Sequence, residues 1–212
     1  MFVADGAGSA VCAEQGAEIA IEAALTYLDL LMHEPEFGLS DLLAVEFIKI
    51  IRDRIYTAAA DEGRTARDFA CTFLGLISSV QGTLAFQVGD GGIVLDTGSG
   101  LELAIPPMNG QYANMTYFVT DEDAIDHLAS QQYAERVDRA AVFSDGVQML
   151  AINMANQTPH EPFFTPFFGV LAQVDETKRS QLEPALARFL NSDQVNERTD
   201  DDKSMVIAVW RG

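Results

Sequence analysis

The sequence predicts an α+β domain spanning residues 1–212, on three observations. Helical periodicity dominates the chain up to Ala60 and again over residues 163–191. Short β-prone runs with glycine turns fill much of the stretch between. A last apolar strand, "SMVIAVW", closes the chain. Helices and strands are thus segregated rather than alternating, which favours α+β over repeated βαβ units. A length of 212 residues suits one domain with a sizeable core. No internal repeat, low-complexity tract or linker divides it.

Residues 14–32 read as a first helix, because Ala20, Ala23, Ala24, Tyr27, Leu28 and Leu31 share one face at helical spacing. Pro35 and Gly38 interrupt it. Ser40 suits the N-cap of a second helix to Ala60, with Leu43, Phe47, Ile50, Ile51 and Ala58 as its apolar stripe. The polar "DEGRTARD" leads into "FACTFLGLISSV", "GTLAFQVGDGGIVLD" and "GLELAIP". Gly82, Asp90-Gly91-Gly92 and Gly98 to Gly100 punctuate these runs, which predicts a meander of antiparallel strands with tight turns. "NMTYFVT" and "HLASQQY" are two further strand candidates, and "RAAVFSDGVQML" reads as strand, turn and helix. The late helical region carries an amphipathic stretch from Thr177 to Leu190.

Composition excludes several classes. The net charge of -19, from 13 basic and 32 acidic residues, argues against a nucleic-acid partner, since phosphate binding is driven by Lys and Arg. No window reaches the roughly 18 apolar residues of a membrane helix. The nearest, "IAIEAALTYLDLLM", is broken by Glu22 and Asp29. No signal peptide is legible. Cys12 and Cys71 lack metal or redox spacing and suit a reducing cytoplasm, where the protein is expected to reside.

Four acidic turns share one grammar. "VADGAG" (Asp5), "QVGDGG" (Asp90) and "VFSDGV" (Asp145) each place an aspartate after an apolar run and before a glycine. In "RTDDDKSMVIAV" the run Asp200, Asp201, Asp202 precedes a strand. A single Asp-Gly is more often a turn than a ligand. Four of them at strand ends can converge on one rim of a sheet, where carboxylates repel one another unless protonated or bridged by a cation. Oxygen ligands without His or Cys suit Mg²⁺ or Mn²⁺ rather than zinc.

The ordered set "VADGAGSA", "VGDGG", "VFSDGV" and "DDKSMVIAV" resembles the metal-dependent serine/threonine protein phosphatases of the PP2C (PPM) type, in a bacterial branch with a DGAGSA-like first motif. The resemblance spans nearly the whole chain and implies an αββα sandwich of two antiparallel sheets flanked by helices. It also implies a two-ion Mg²⁺ or Mn²⁺ centre. Asp5 would bridge both ions, the Gly6 carbonyl would serve one, and Asp145 and Asp202 would complete the other. Asp202 is selected over Asp200 and Asp201 by counting back from "MVIAV". Asp90 would serve a more weakly held ion. Asp5, Asp145 and Asp202 would act in catalysis through a metal-bound water that attacks phosphorus in line, with no phosphoenzyme. His33, His127 and His160 lie outside the motifs. A phosphorylated protein, such as a Ser/Thr kinase or its target, would be the substrate. The chain's charge favours basic residues around the phosphosite.

The chain departs from the pattern at its start. Only four residues precede Asp5. The family's preceding strands, with a phosphate-holding arginine and an acidic metal-binding residue, therefore have no counterpart. Ala7 stands where some relatives carry a histidine. One expected ion would be under-liganded. Three readings follow: a start that lies upstream, a reduced but active phosphatase, or a catalytically degenerate regulatory or binding module. An N-terminally shortened sandwich should also expose a sheet edge. Self-association, or a partner docked at that N-terminal edge, is the corresponding expectation.

Overall fold

The computed structural model describes residues 1–34, 37–106 and 116–211. Pro35, and Asn114 and Met115 of the expected strand over 114–120, lie outside these. The chain begins with β1 (Phe2–Val3) and two long helices, α1 (Ala13–Met32) and α2 (Asp41–Asp61). Ser40 caps α2 as its sequence suggests, its hydroxyl accepting the Leu43 amide at 3.4 Å. Five strands follow: β2 (Phe73–Ser79), β3 (Gly82–Val88), β4 (Gly92–Asp96), β5 (Glu102–Leu103) and β6 (Ala129–Tyr133). Next come β7 (Arg139–Phe143), α3 (Asp145–Ala151), the short pair β8 (Ile152–Asn153) and β9 (Thr158–Pro159), and α4 (Glu161–Gln173). Helices α5 (Leu182–Leu190) and α6 (Asp193–Asn196) precede the last strand, β10 (Met205–Val209).

Among the described residues the long strands form two four-stranded antiparallel sheets, ordered β1-β2-β3-β6 and β10-β7-β4-β5. Three buried clusters show how they stack. Leu74, Leu76, Ala85, Ile93, Leu95, Ala140 and Val142 pack between the sheets. Phe73, Leu84, Phe86 and Val88 leave the opposite face of the first sheet and meet Ala20, Ala24, Phe47 and Ile51 of α1 and α2. Val94, Ala141 and Phe143 leave the opposite face of the second and meet Val147, Phe164, Phe168 and Leu190 of α3, α4 and α5. Successive residues of β7 thus alternate between two cores, which is the period-two geometry of a strand. Burial on both faces explains why these strands read as continuous apolar runs. The architecture is the αββα sandwich.

Two sequence expectations are corrected. The "GDGG" turn does not close a hairpin. β2 and β3 do pair, Phe73 facing Val88, but β4 pairs with β7 and β5 in the other sheet. Gly89-Asp90-Gly91 therefore carries the chain from one layer to the next. Gly91 has φ +120°, and a Cβ there would lie 2.6 Å from the Phe143 carbonyl oxygen, so only glycine fits. The described part of "NMTYFVT", residues 116–120, is a loop rather than a strand. The Val119 amide bonds the Cys71 carbonyl at 2.9 Å, and the Phe118 amide bonds the Asp121 carboxylate at 2.8 Å. An aspartate-capped turn replaces the ladder that its β-prone residues suggest.

Candidate metal centre

Strand register brings the acidic turns together. Val3 faces Leu74, so Asp5 stands beside Thr72. Phe73 faces Val88, which sets Asp90 at the same end of the first sheet. In the second sheet Gly92 and Met205 both face Phe143, so Asp90, Asp145 and the 200–202 run leave that sheet at one end. Four segments distant in sequence thus share one rim.

Backbone and hydroxyl bonds hold the acidic turns in place. The Thr72 hydroxyl accepts the Asp5 amide at 3.2 Å, and the Thr72 amide bonds the Asp5 carbonyl at 2.8 Å. Gly6 pairs with Cys71 in an isolated bridge whose bonds are made by the neighbours Ala7→Ala70 and Thr72→Asp5. Gly6 is therefore in a non-hydrogen-bonded pair, and its carbonyl points away from β2. Asp145 opens α3, accepting the Gly146 amide at 2.7 Å. Ser144 is fully buried and ties β7 to the acidic run. Its amide bonds the Ser204 carbonyl at 3.0 Å, and its hydroxyl accepts the Ser204 amide at 3.0 Å while donating to the Asp202 carbonyl at 3.2 Å. Gln148 Nε2 donates to the Gly91 carbonyl at 2.7 Å, fastening α3 to the Asp90 turn.

The electrostatics record the crowding. Burial, then a hydrogen bond to Asp145 and the charges of Asp145, Asp201 and Asp202, push the Asp5 carboxyl up to about 7. Below about pH 7 Asp5 is therefore the member of the pair that carries a proton, facing Asp145. The Asp145 carboxyl is also raised, by burial first and then by the charges of Asp90 and Asp201. Among the described residues no Lys or Arg side chain pairs with the carboxylates of Asp5, Asp90, Asp145, Asp201 or Asp202. Such a set of hard oxygens, lacking positive charge, is what a divalent cation would satisfy. Among the described residues no three His, Cys, Asp or Glu side chains already close into a metal-ligand group. The carboxylates are neighbours, not a finished cage.

Asp5, Gly6 and Asp202 line an open cleft of about 990 Å³, together with Lys203, Asn191 and the α1 residues Glu14, Glu18 and Glu22. Lys203 is the sole basic residue lining it among the described residues, its Nζ 2.8 Å from the Asp201 carbonyl. Cys71 lies behind Asp5. Burial, and secondarily the Asp5 charge, push its thiol up to about 12, so Cys71 is not a thiolate nucleophile. None of the histidines lines the cleft. His33 is spent on the Asp29 carbonyl at 2.7 Å, His127 stacks on Tyr117 with ring centres 3.4 Å apart, and His160 precedes α4. Sequence reasoning missed Thr72, Ser144, Gln148 and Lys203. Ser144 and Lys203 stand within the motifs "VFSDGV" and "DDKSMVIAV", but the roles of all four arise from pairings between segments far apart.

An αββα sandwich with an aspartate-lined cleft at one rim defines the class of metal-assisted phosphatases, and the comparisons agree. The family Protein phosphatase 2C matches residues 1–191, and the chain belongs to that family. It is 49% identical over 210 residues to serine/threonine-protein phosphatase 3 of Escherichia coli (strain K12), covering 99% of this chain and 83% of that one. Two solved structures share the fold. The catalytic domain of the serine/threonine phosphatase PstP in complex with two manganese ions superposes with a TM-score of 0.61 at 16% identity, covering 97% of this chain and 84% of that one. Stp1 from Staphylococcus aureus gives 0.60 at 13%, covering 100% and 83%.

Proposed function

We propose that the protein hydrolyses phosphoserine and phosphothreonine in proteins with Mg²⁺ or Mn²⁺ in the cleft. The observation that carries this is the strand register that brings Asp5, Asp90, Asp145 and the 200–202 run to one rim, where the charges of Asp90, Asp201 and Asp202 act on the Asp5 and Asp145 carboxyls. Asp5, the Gly6 carbonyl, Asp145 and one aspartate of the acidic run would hold the cations, and Asp90 a weaker one. Divalent ions bound there would make water nucleophilic near neutral pH and neutralise charge on the phosphoryl oxygens. Of the acidic run we favour Asp201 over the expected Asp202 as the ligand. Its charge acts on both Asp5 and Asp145, whereas that of Asp202 acts on Asp5 alone. The Asp201 Cβ also lies beside Gly146, at the start of α3.

The chain's own residues then position the substrate. Lys203 offers a phosphate monoester the cation that the surrounding carboxylates lack. Glu14, Glu18 and Glu22 repeat every four residues along α1, so they form one wall of the cleft. That wall suits a phosphopeptide with basic residues beside the phosphosite. The reading takes residues 1–212 as one domain in the cytoplasm. Cys12 and Cys71 are free thiols, which suits a reducing compartment. Among the described residues no helix is long and apolar enough to cross a membrane. β1 and β10 are edge strands of their sheets, which supports self-association or a partner docked at the N-terminal edge. A strictly monomeric protein in concentrated sedimentation runs would count against self-association.

The deciding assay is Mn²⁺-dependent hydrolysis of p-nitrophenyl phosphate and a phosphothreonine peptide by wild type and Asp145→Asn. Activity that needs metal and collapses in the variant is expected. A folded wild type without turnover at saturating Mn²⁺ would instead mark a binding module. Asp201→Asn and Asp202→Asn, compared side by side, decide which aspartate is the ligand.

A further inference from the structure

The loop over 116–121 is gripped at one end by α2 and touches the acidic rim at the other. Arg52, on α2, donates through one guanidinium nitrogen to the carbonyls of both Val119 and Asp121. Tyr56, one turn on, donates its hydroxyl to the Thr120 carbonyl at 3.1 Å. The Arg52 guanidinium sits 5.4 Å from the centre of the Tyr56 ring, so the two side chains brace each other. Three successive carbonyls are thereby held by two side chains of one helix. The Val119 amide adds a bond to Cys71, the residue paired with Gly6. At its other end the loop places the Thr116 hydroxyl 2.7 Å from Asp90 Oδ2, donating to it. The Tyr117 carbonyl lies against Gly89, where a Cβ would come within 2.8 Å of it. No described residue bonds Asp90 Oδ1.

We propose that Thr116, anchored by the Arg52–Tyr56 clamp on α2, is a positioning residue that fixes the rotamer of Asp90 and so sets the affinity of the weaker cation subsite. The inference rests on Asp90 being a metal ligand, as read above. A half-buried aspartate on a glycine-flanked turn still has more than one rotamer open to it, and a hydroxyl bonded to one oxygen selects among them. The other oxygen then keeps a fixed direction. The interaction is of the outer-shell kind, whose loss typically costs about 10-fold or more in metal affinity.

The test is calorimetric titration of the metal-free protein with Mn²⁺, for wild type, Thr116→Val, Thr116→Ala, Thr116→Ser, Asp90→Asn and the double variant T116V/D90N. Thermal melts confirm that each is folded, and the alanine variant stands in should valine not fold. We expect T116V and T116A to weaken one Mn²⁺ binding step by about 10-fold, and T116S to restore it. T116V/D90N should bind no worse than D90N, because Thr116 acts only through Asp90. If D90N loses the step while T116V and T116A keep wild-type affinity, the positioning role is wrong and the ligand reading stands. A T116V effect that adds in full to that of D90N would equally overturn it. If D90N leaves every Mn²⁺ step unchanged, the ligand reading fails and the inference falls with it.

Discussion

Burial first, then the Asp145 carboxyl beside it and the charges of Asp201 and Asp202, push the Asp5 carboxyl up to about 7. A raised carboxyl pKa has a signed consequence for stability. The folded state binds this proton more tightly than the unfolded chain, whose value is near 3.8. The stabilisation is therefore full below that value and is lost as pH rises through about 7. The metal-free protein should melt at a lower temperature at pH 8 than at pH 5.5. Mn²⁺ at about 100 times its dissociation constant should add about 2.7 kcal/mol at pH 8. Asp5→Asn should flatten the pH dependence and remove most of the Mn²⁺ gain. Melting curves across pH with and without Mn²⁺ check both; an unchanged gain in the variant would remove Asp5 from the ligand set. Lys203 belongs to the same scale. Lys203→Met should raise KM for p-nitrophenyl phosphate up to about fivefold, the worth of one partly exposed ion pair, with little change in Mn²⁺ affinity.

At the scale of elements, the rim depends on how closely α3 meets the turn before β10. A Cβ on Gly146 would sit 2.2 Å from the Asp202 carbonyl oxygen and 3.3 Å from the Asp201 Cβ. The neighbour is backbone, so it cannot swing aside as a side chain would. Gly146→Ala should therefore push the acidic run outward. We expect a loss of about 2 kcal/mol by denaturant unfolding, together with weaker Mn²⁺ binding by calorimetry. Loss of stability with wild-type Mn²⁺ affinity would mean that the run reaches the site without this contact. The two early helices and the Ser40 cap were legible from the apolar spacing of their residues. The crossing of β3 to β4 between sheets was not. "GDGG" has the composition of a hairpin turn, and only the pairing of β4 with β7 shows that it changes layer.

For the whole molecule, the charge of -19 bears on partner choice. The α1 wall of the cleft adds Glu14, Glu18 and Glu22 to the rim's own carboxylates. A phosphopeptide with Lys or Arg beside the phosphosite should show a lower KM than an acidic one. Its KM should rise between about 0.05 M and about 0.5 M NaCl, where screening shortens the reach of surface charge. Steady-state kinetics on two matched peptides test this, and equal KM values with no salt dependence would dismiss the wall as a selector.

The sequence by itself determined the class of fold and the residue types at the site. Apolar periodicity marks the two long early helices within a short window, and the four acidic turns supply the carboxylates of the site. The tertiary structure decided the rest. Strand register sets Asp5, Asp90, Asp145 and the acidic run on one rim, and each register is a pairing between distant segments. Thr72, Ser144 and Thr116 gain their roles only there, because a hydroxyl carries no local sign of the carboxylate or carbonyl it will meet. The weighting of Asp201 against Asp202 likewise followed from the approach of α3 at Gly146. Counting along a strand locates such a residue only to within one position, because neighbouring carboxylates of one run differ only in how the backbone before β10 packs against α3.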